Sequence, residues 1–216
     1  LDVMRYFQKA IRRANIDICY SEGYSPHMIM SFASPLGLGL ESDGEYMDIR
    51  INGSISSKEA VRRLNAVMVE GIDVMSFREL PENSKNAMAS VAAADYEVRF
   101  REGCAPEDGW KEQFTEFLAQ PEMRIVKETK KGQQEIDIRP WIYSWEIVDD
   151  MIKMQVSAGS VHNLKPEMVL KAFAEHIGWD MPQFALLVTR REMYADQGTE
   201  EERKLISLEA LGEEIG

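Results

Sequence analysis

Trp141–Val156 reads WIYSWEIVDDMIKMQV, and this stretch decides the fold class. Two apolar runs flank Asp149-Asp150, which predicts a β-hairpin and hence an antiparallel sheet. On its C-terminal side, Pro166–Ile177 predicts a helix with proline at its start, where a missing N–H costs nothing. Phe184–Thr189 predicts a final strand, with Arg190, Arg191 and Glu192 as surface charges at its end. On the N-terminal side, Met123–Lys127 and Gln134–Arg139 predict a second hairpin around Lys130–Gly132. Pro106–Leu118 predicts a helix with proline and acidic residues in its first turn, where both are favourable. Val91–Phe100 predicts a strand, with Tyr96, Val98 and Phe100 in phase. The order of this half is β-α-β-β-β-β-α-β.

The first half opens on a helix over Leu1–Ala14. Leu1, Met4, Phe7, Ile11 and Ala14 recur at helical spacing on one stripe, with Arg5, Lys9 and Arg12 on another face and Arg13 beside it. Asn15, tolerant of the left-handed region, ends it. Met28–Ala33 is a short apolar strand, and Gly37-Leu38-Gly39 a bend beyond it. Gly44–Ile51 alternates as a strand, Met47, Ile49 and Ile51 on one side and Tyr46, Asp48 and Arg50 on the other. Ser56 or Ser57 caps a helix over Lys58–Met68, with Val61, Leu64, Ala66 and Val67 inward. Gly71 stops it, and Ile72–Phe77 is a further strand.

Asp48-Ile49-Arg50 recurs as Asp137-Ile138-Arg139, and Gly53-Ser54-Ile55 as Gly159-Ser160-Val161, each pair leading towards a helix and then a strand. With the shared element order, this points to two β-α-β-β-α-β units on the ferredoxin-like plan, antiparallel sheets with helices on one face. The expected fold class is therefore α+β. The division is 1–80 for the first unit, 81–90 for a linker, 91–195 for a second unit with an extra hairpin, and 196–216 for an acidic tail. The plan needs a strand before the first helix, so residues upstream of Leu1 are expected to supply it.

The formal charge of −12 is uneven. Residues 1–40 sum to +1 and the remainder to −13, with −5 from Asp196 onward. An acidic whole opposes indiscriminate nucleic-acid binding, although a small basic face could still dock a structured RNA. No run of about 18 apolar residues occurs, so no membrane-spanning helix is expected. From the charged opening residues no secretory signal peptide is expected. Two cysteines, Cys19 and Cys104, give no disulfide framework and fit a reducing cytoplasm.

Two isolated thiols cannot supply the three nearby thiolates that hold a four-iron cluster, and His27, His162 and His176 are scattered. Neither a cofactor nor a metal is expected, and the balance leans away from an enzyme. The stretch richest in chemistry is Tyr20–Ser31, where Tyr20, Tyr24, Glu22 and His27 surround a glycine and a proline. The tyrosines could stack on a base while His27 meets a phosphate; a packed turn is the structural alternative. The face of Arg5, Lys9, Arg12 and Arg13 stands immediately before this loop. Glu22 and His27 could instead form an acid–base pair in an enclosed pocket. Glu135, Asp137 and Arg139 share a sheet face by period two, as a structural ion pair or a ligand contact.

The run LDVMRYFQKAIRRANIDICYSEGYSPHMIMSFASPLGLGLESDGEYMDIRI resembles the opening domain of the radical-SAM-linked family, a domain of unknown function. The resemblance rests on Leu1, Asp2, Met4 and Arg5, the pair Arg12-Arg13, then Tyr20, Ser21, Gly23, Pro26 and His27. It continues through Ser31-Phe32-Ala33, Gly39, Glu41-Ser42 and Gly44-Glu45-Tyr46. Tyr24-Ser25 departs from the usual Phe-Asn, and Met28 from a frequent Pro. Asp137-Ile138-Arg139-Pro140 and Lys165-Pro166-Glu167 extend the likeness. It adds Glu45 to the binding candidates and implies a partner, a radical SAM protein with a cobalamin-binding domain. The function it implies is that of an accessory or substrate-presenting module; RNA modification is a separate expectation for its setting. A stand-alone RNA-binding or RNA-processing protein, and a small-molecule enzyme using Glu22 and His27, are the alternatives.

Overall fold

The structure is a computed structural model describing residues 2–129, 132–199 and 201–216. Leu1, Lys130 and Lys131, named in the expected first helix and hairpin turn, lie outside the described residues. In chain order the elements are α1 (Asp2–Arg13), β1 (Met30–Phe32), β2 (Glu41–Ser42), β3 (Met47–Ile49), α2 (Ser57–Asn65), β4 (Arg78–Glu79) and α3 (Ala87–Ser90). There follow β5 (Val91–Phe100), α4 (Trp110–Leu118), β6 (Arg124–Thr129), β7 (Gly132–Asp137), β8 (Ile142–Val148) and β9 (Met151–Ser157). The chain closes with α5 (Pro166–Ile177), β10 (Leu186–Asp196), β11 (Leu205–Ser207) and β12 (Glu213–Glu214). The class is mixed α+β.

Two compact units form, and they do not follow the chain in order. Unit one gathers Leu1–Ala33, Tyr46–Ser90 and Ile206–Gly216; unit two gathers Ser34–Glu45 and Val91–Leu205. The segment between the two halves is not all linker, since 87–90 form α3. The acidic tail is structured too: β12 pairs with β4, and Ile215 donates its N–H to the Ser57 hydroxyl at 2.9 Å.

In unit one, α1 turns Ile11 and Ala14 into a core with Ile16, Ile18, Met28, Ala60 and Leu64. Asn15 stops it at φ 52, as its short polar side chain allows. β1 pairs antiparallel with β3, Ser31 opposite Asp48. Ser56 caps α2, its hydroxyl accepting the Glu59 N–H at 3.3 Å. The helix ends at Asn65, short of the expected Met68, so Ala66 is exposed and Ala60 packs inward in its place.

The expected strand over Ile72–Phe77 does not form. The Asn65 carboxamide accepts the Val74 N–H at 2.7 Å and donates to the Val74 carbonyl at 2.9 Å. A side chain thus satisfies both backbone groups that a neighbouring strand would otherwise pair. Val74 and Phe77 still pack on the core.

In unit two the sheet runs β10-β5-β9-β8 with every neighbouring pair antiparallel, and β2 adds to β10 in parallel. Asp149 turns the β8–β9 hairpin at φ 55. α4 starts later than expected because Gly109, at φ 91, is its N-cap; the proline and the acids Glu107 and Asp108 fall before the helix. Buried Phe114 meets Phe173 of α5 edge-on at 5.0 Å, which ties the two helices over the sheet. β10 runs seven residues past the expected end, with register shifts at Arg190/Glu192 and Tyr194/Ala195. Those bulges break the period-two pattern by which a strand is read.

The two Gly-Ser matches are not equivalent in the structure. Gly53 needs its left-handed φ of 68, whereas a Cβ on Gly159 would stand 2.5 Å from the Val91 carbonyl oxygen. One glycine answers to conformation and the other to close approach.

Candidate binding site

The loop rich in chemistry is a small closed hairpin in unit one. Cys19 donates its N–H to the Arg50 carbonyl at 2.7 Å, and Ile29 donates to the Cys19 carbonyl at 2.9 Å. Tyr20 bridges Met28, and Ser21 donates to the His27 carbonyl at 2.8 Å. The Ser21 hydroxyl then accepts the His27 N–H at 3.1 Å and lies 2.9 Å from His27 Nδ1. Gly23 makes the turn at φ 108, and buried Met28 anchors the root. The ladder fixes the root, while Glu22 through His27 stand in solvent and Tyr24 is fully exposed.

This placement goes against two of the expectations for the loop. The tyrosines are not buried in a packed turn: Tyr20 is exposed and Tyr24 more so. His27 is in the open, and its ring faces Ser21 rather than Glu22, so the enclosed acid–base pocket does not form around it.

Helix α1 carries the basic face in the same unit. Arg5, Lys9, Arg12 and Arg13 are all exposed, on the side opposite Phe7, Ile11 and Ala14. Phe7 packs edge-on against Phe32 at 5.5 Å, which sets the helix with that basic side outward. Arg5 is 3.9 Å from Asp2, and Arg13 donates to the Val67 carbonyl at 3.2 Å. The acidic excess lies elsewhere: unit one holds ten basic and twelve acidic residues, unit two fifteen and twenty-five.

Glu45 belongs to a buried node in unit two that the sequence did not disclose. Arg190, read as a surface charge, is 3% exposed. Its Nε and Nη2 donate to Glu45 Oε1 at 2.8 and 2.5 Å, and Nη2 to the Ser34 carbonyl at 3.0 Å. The Ser42 hydroxyl donates to Glu45 Oε1 at 2.5 Å, and Asp43 donates its N–H to the Arg190 carbonyl at 2.9 Å. Tyr96 faces the same guanidinium; burial pushes its phenol above the usual range, while Arg190 pulls the other way. Glu167 Oε2 is buried without a hydrogen-bond partner among the described residues. The one available signal was phase, since Arg190 follows Val188 by two positions on a strand. Arg191, by contrast, is exposed and pairs with Asp43 and Glu97, as a surface charge would.

The remaining candidates, Asp137 and Arg139, contact the backbone. Asp137 Oδ1 accepts the backbone N–H of Met123 at 2.8 Å and of Arg139 at 3.0 Å. β7 ends at Asp137 and Arg139 opens a 3-10 turn, so period two does not carry across them. Arg139 donates to the Ile142 carbonyl at 3.0 Å, and Glu135 pairs with Arg124 at 3.1 Å. The ion pair expected among these three is thus replaced by backbone contacts and a different arginine. Among the described residues, no three His, Cys, Asp or Glu side chains gather as metal ligands would. No helix is long and apolar enough to cross a membrane among those residues.

Together these features define an α+β protein of two units, with one hairpin and one basic helix face presented to solvent. Residues 1–166 match the family described as uncharacterized protein conserved in bacteria (DUF2344), and the chain belongs to that family. No curated protein matches the chain.

Proposed function

We propose that this protein is an accessory module that presents a substrate to a radical SAM enzyme, with RNA as the substrate. The observation that carries the reading is Tyr24, fully exposed on a hairpin whose root is pinned by Ser21 and His27. An exposed ring is a stacking surface for an unpaired base, and the basic face of α1 in the same unit suits phosphate. The sequence likeness to the radical-SAM-linked family supports the choice of partner, one with a cobalamin-binding domain. Cys19 falls in unit one and Cys104 in unit two, so the thiolates for an iron–sulfur cluster come from that partner.

The order β10-β5-β9-β8, with α4 and α5 between strands, supports reading unit two as ferredoxin-like. The sequence α1-β1-β3-α2 supports unit one as a shorter relative of the same plan.

Affinity purification of the chain from its native cell, with bound protein and RNA both identified, tests the proposal. Recovery of a cluster-containing enzyme with RNA is the expected result. RNA recovered without any such enzyme would instead favour a stand-alone RNA-binding protein, and recovery of neither would sink both readings.

A further inference from the structure

The sheet of unit two has unequal edges. At one side, β2 pairs in parallel with Thr189 and Arg190 of β10. At the other, β8 is the last strand of the order, and among the described residues its pairing is with β9 alone. Among the described residues no backbone–backbone hydrogen bond reaches the outer side of Tyr143–Val148; the Arg139 side chain donates to the Ile142 carbonyl, and the Arg203 guanidinium lies over the Tyr143 ring at 4.5 Å. Natural edges are blunted by lysine, proline, several charges or a bulge, and here the bulge falls at the first residues of β8, leaving Ser144–Val148 regular. β8 has one charge, Glu146, already paired with Lys153 at 3.2 Å. Its other residues, Ile142, Tyr143, Trp145, Ile147 and Val148 beside Ser144, favour strand pairing.

We propose that β8 is a self-association edge, occupied by β8 of a second copy of this chain running antiparallel to it. The argument is the strand's fit to itself. A two-fold axis perpendicular to the sheet keeps each face on its own side, so opposed residues share a face. Centred on Trp145, this symmetry sets Trp145 against its own copy and Ser144 against Glu146, and brings Ile147 to the bulged Tyr143 at each end. Aromatic and aromatic–aliphatic pairs of this kind stabilise sheets, and the hydroxyl can donate to the carboxylate. Moving the centre to Glu146 would oppose two carboxylates. Moving it to Ser144 would set Glu146 against Ile142, which is only 4% exposed. Charge and burial therefore choose the register, and the bulge between Ile142 and Ser144 ends the ladder.

Ser144 is exposed, so its substitution leaves the fold of the chain intact and reports on the interface. Sedimentation equilibrium of the full chain, wild type beside S144K and S144E, is the test. S144K faces the partner copy's carboxylate twice and should tighten the dimer, and S144E should weaken it, each by roughly tenfold. Because the chain carries −12, added salt should also tighten the wild-type dimer. A dimer seen only with S144K still supports the register. Monomers for all three chains, or equal dissociation constants for S144K and S144E, overturn it.

Discussion

Glu45 and Arg190 lie 145 positions apart, yet one carboxylate oxygen accepts both Nε and Nη2 of that arginine. The guanidinium is withdrawn from water, while the Glu45 side chain is 39% exposed. Removing the acid strands a buried cation, which costs more than the pair contributes when intact. Glu45→Ala should therefore lower the unfolding free energy by about 2 kcal/mol in urea titrations. Adding Arg190→Met to that variant removes the stranded charge and should recover most of the loss. A double variant no more stable than Glu45→Ala would show that the pair is not what holds this segment.

Gly44 sits where no side chain fits. A Cβ there would stand 2.5 Å from the Arg191 carbonyl oxygen and 2.8 Å from Glu192 Cα, both backbone atoms. Gly44→Ala should cost about 2 kcal/mol, seen as a lowered melting temperature. Gly23→Ala, with open space around it but φ 108, should cost about 1 kcal/mol. If the two variants melt together, close approach at Gly44 is not the reason for its glycine.

Asp48 gives a pH signature of unusual sign. Burial pushes its carboxyl above the ordinary 3.8, against the pull of the Ala87 N–H it accepts at 2.5 Å. A carboxyl raised on folding contributes stability at acid pH that is lost as pH rises from 3.8 through the folded value. Asp48→Asn keeps an acceptor for Ala87 and should gain stability relative to wild type between acid and neutral pH. Asp48→Ala leaves that N–H unpaired and should lose about 1 kcal/mol at acid pH, a loss that shrinks as pH rises and the wild-type carboxyl ionises. Chemical denaturation across pH separates the cases, and parallel curves for wild type and the asparagine variant would refute the argument.

The RNA surface proposed above would show itself in a measurement that stability data miss. Arg12→Glu should weaken binding of single-stranded RNA and reduce the slope of log affinity against log salt by about 0.7 or more. Tyr24→Ala should weaken binding by at least roughly tenfold through lost stacking while leaving the salt slope unchanged. Both positions are exposed, so melting temperatures should stay near wild type. Fluorescence anisotropy over a salt series checks each, and unaltered affinity in both variants would remove RNA from this surface.

Elements with strong local patterns were legible from the chain alone. Val91–Phe100 and Pro166–Ile177 form over the residues that alternation and the proline start indicate. The β8–β9 hairpin turns at Asp149-Asp150. Elements closed by something other than a neighbouring strand were not legible. Ile72–Phe77 has the composition of a strand, but Asn65, nine positions before Val74, takes its hydrogen bonds. The exposure of Tyr24 and His27 was not legible either, because a packed turn and a presented loop share one composition.

What the sequence determined by itself is the α+β class, most of the element order and the scarcity of thiols, since periodicity, turn chemistry and residue counts are local properties. Tertiary structure alone decided that Arg190 is buried against Glu45, and that residues 34–45 and 206–216 leave their neighbours for the other unit. Such pairings depend on where distant segments meet. Nothing local in an arginine, a glutamate or an acidic tail says what will stand across from it.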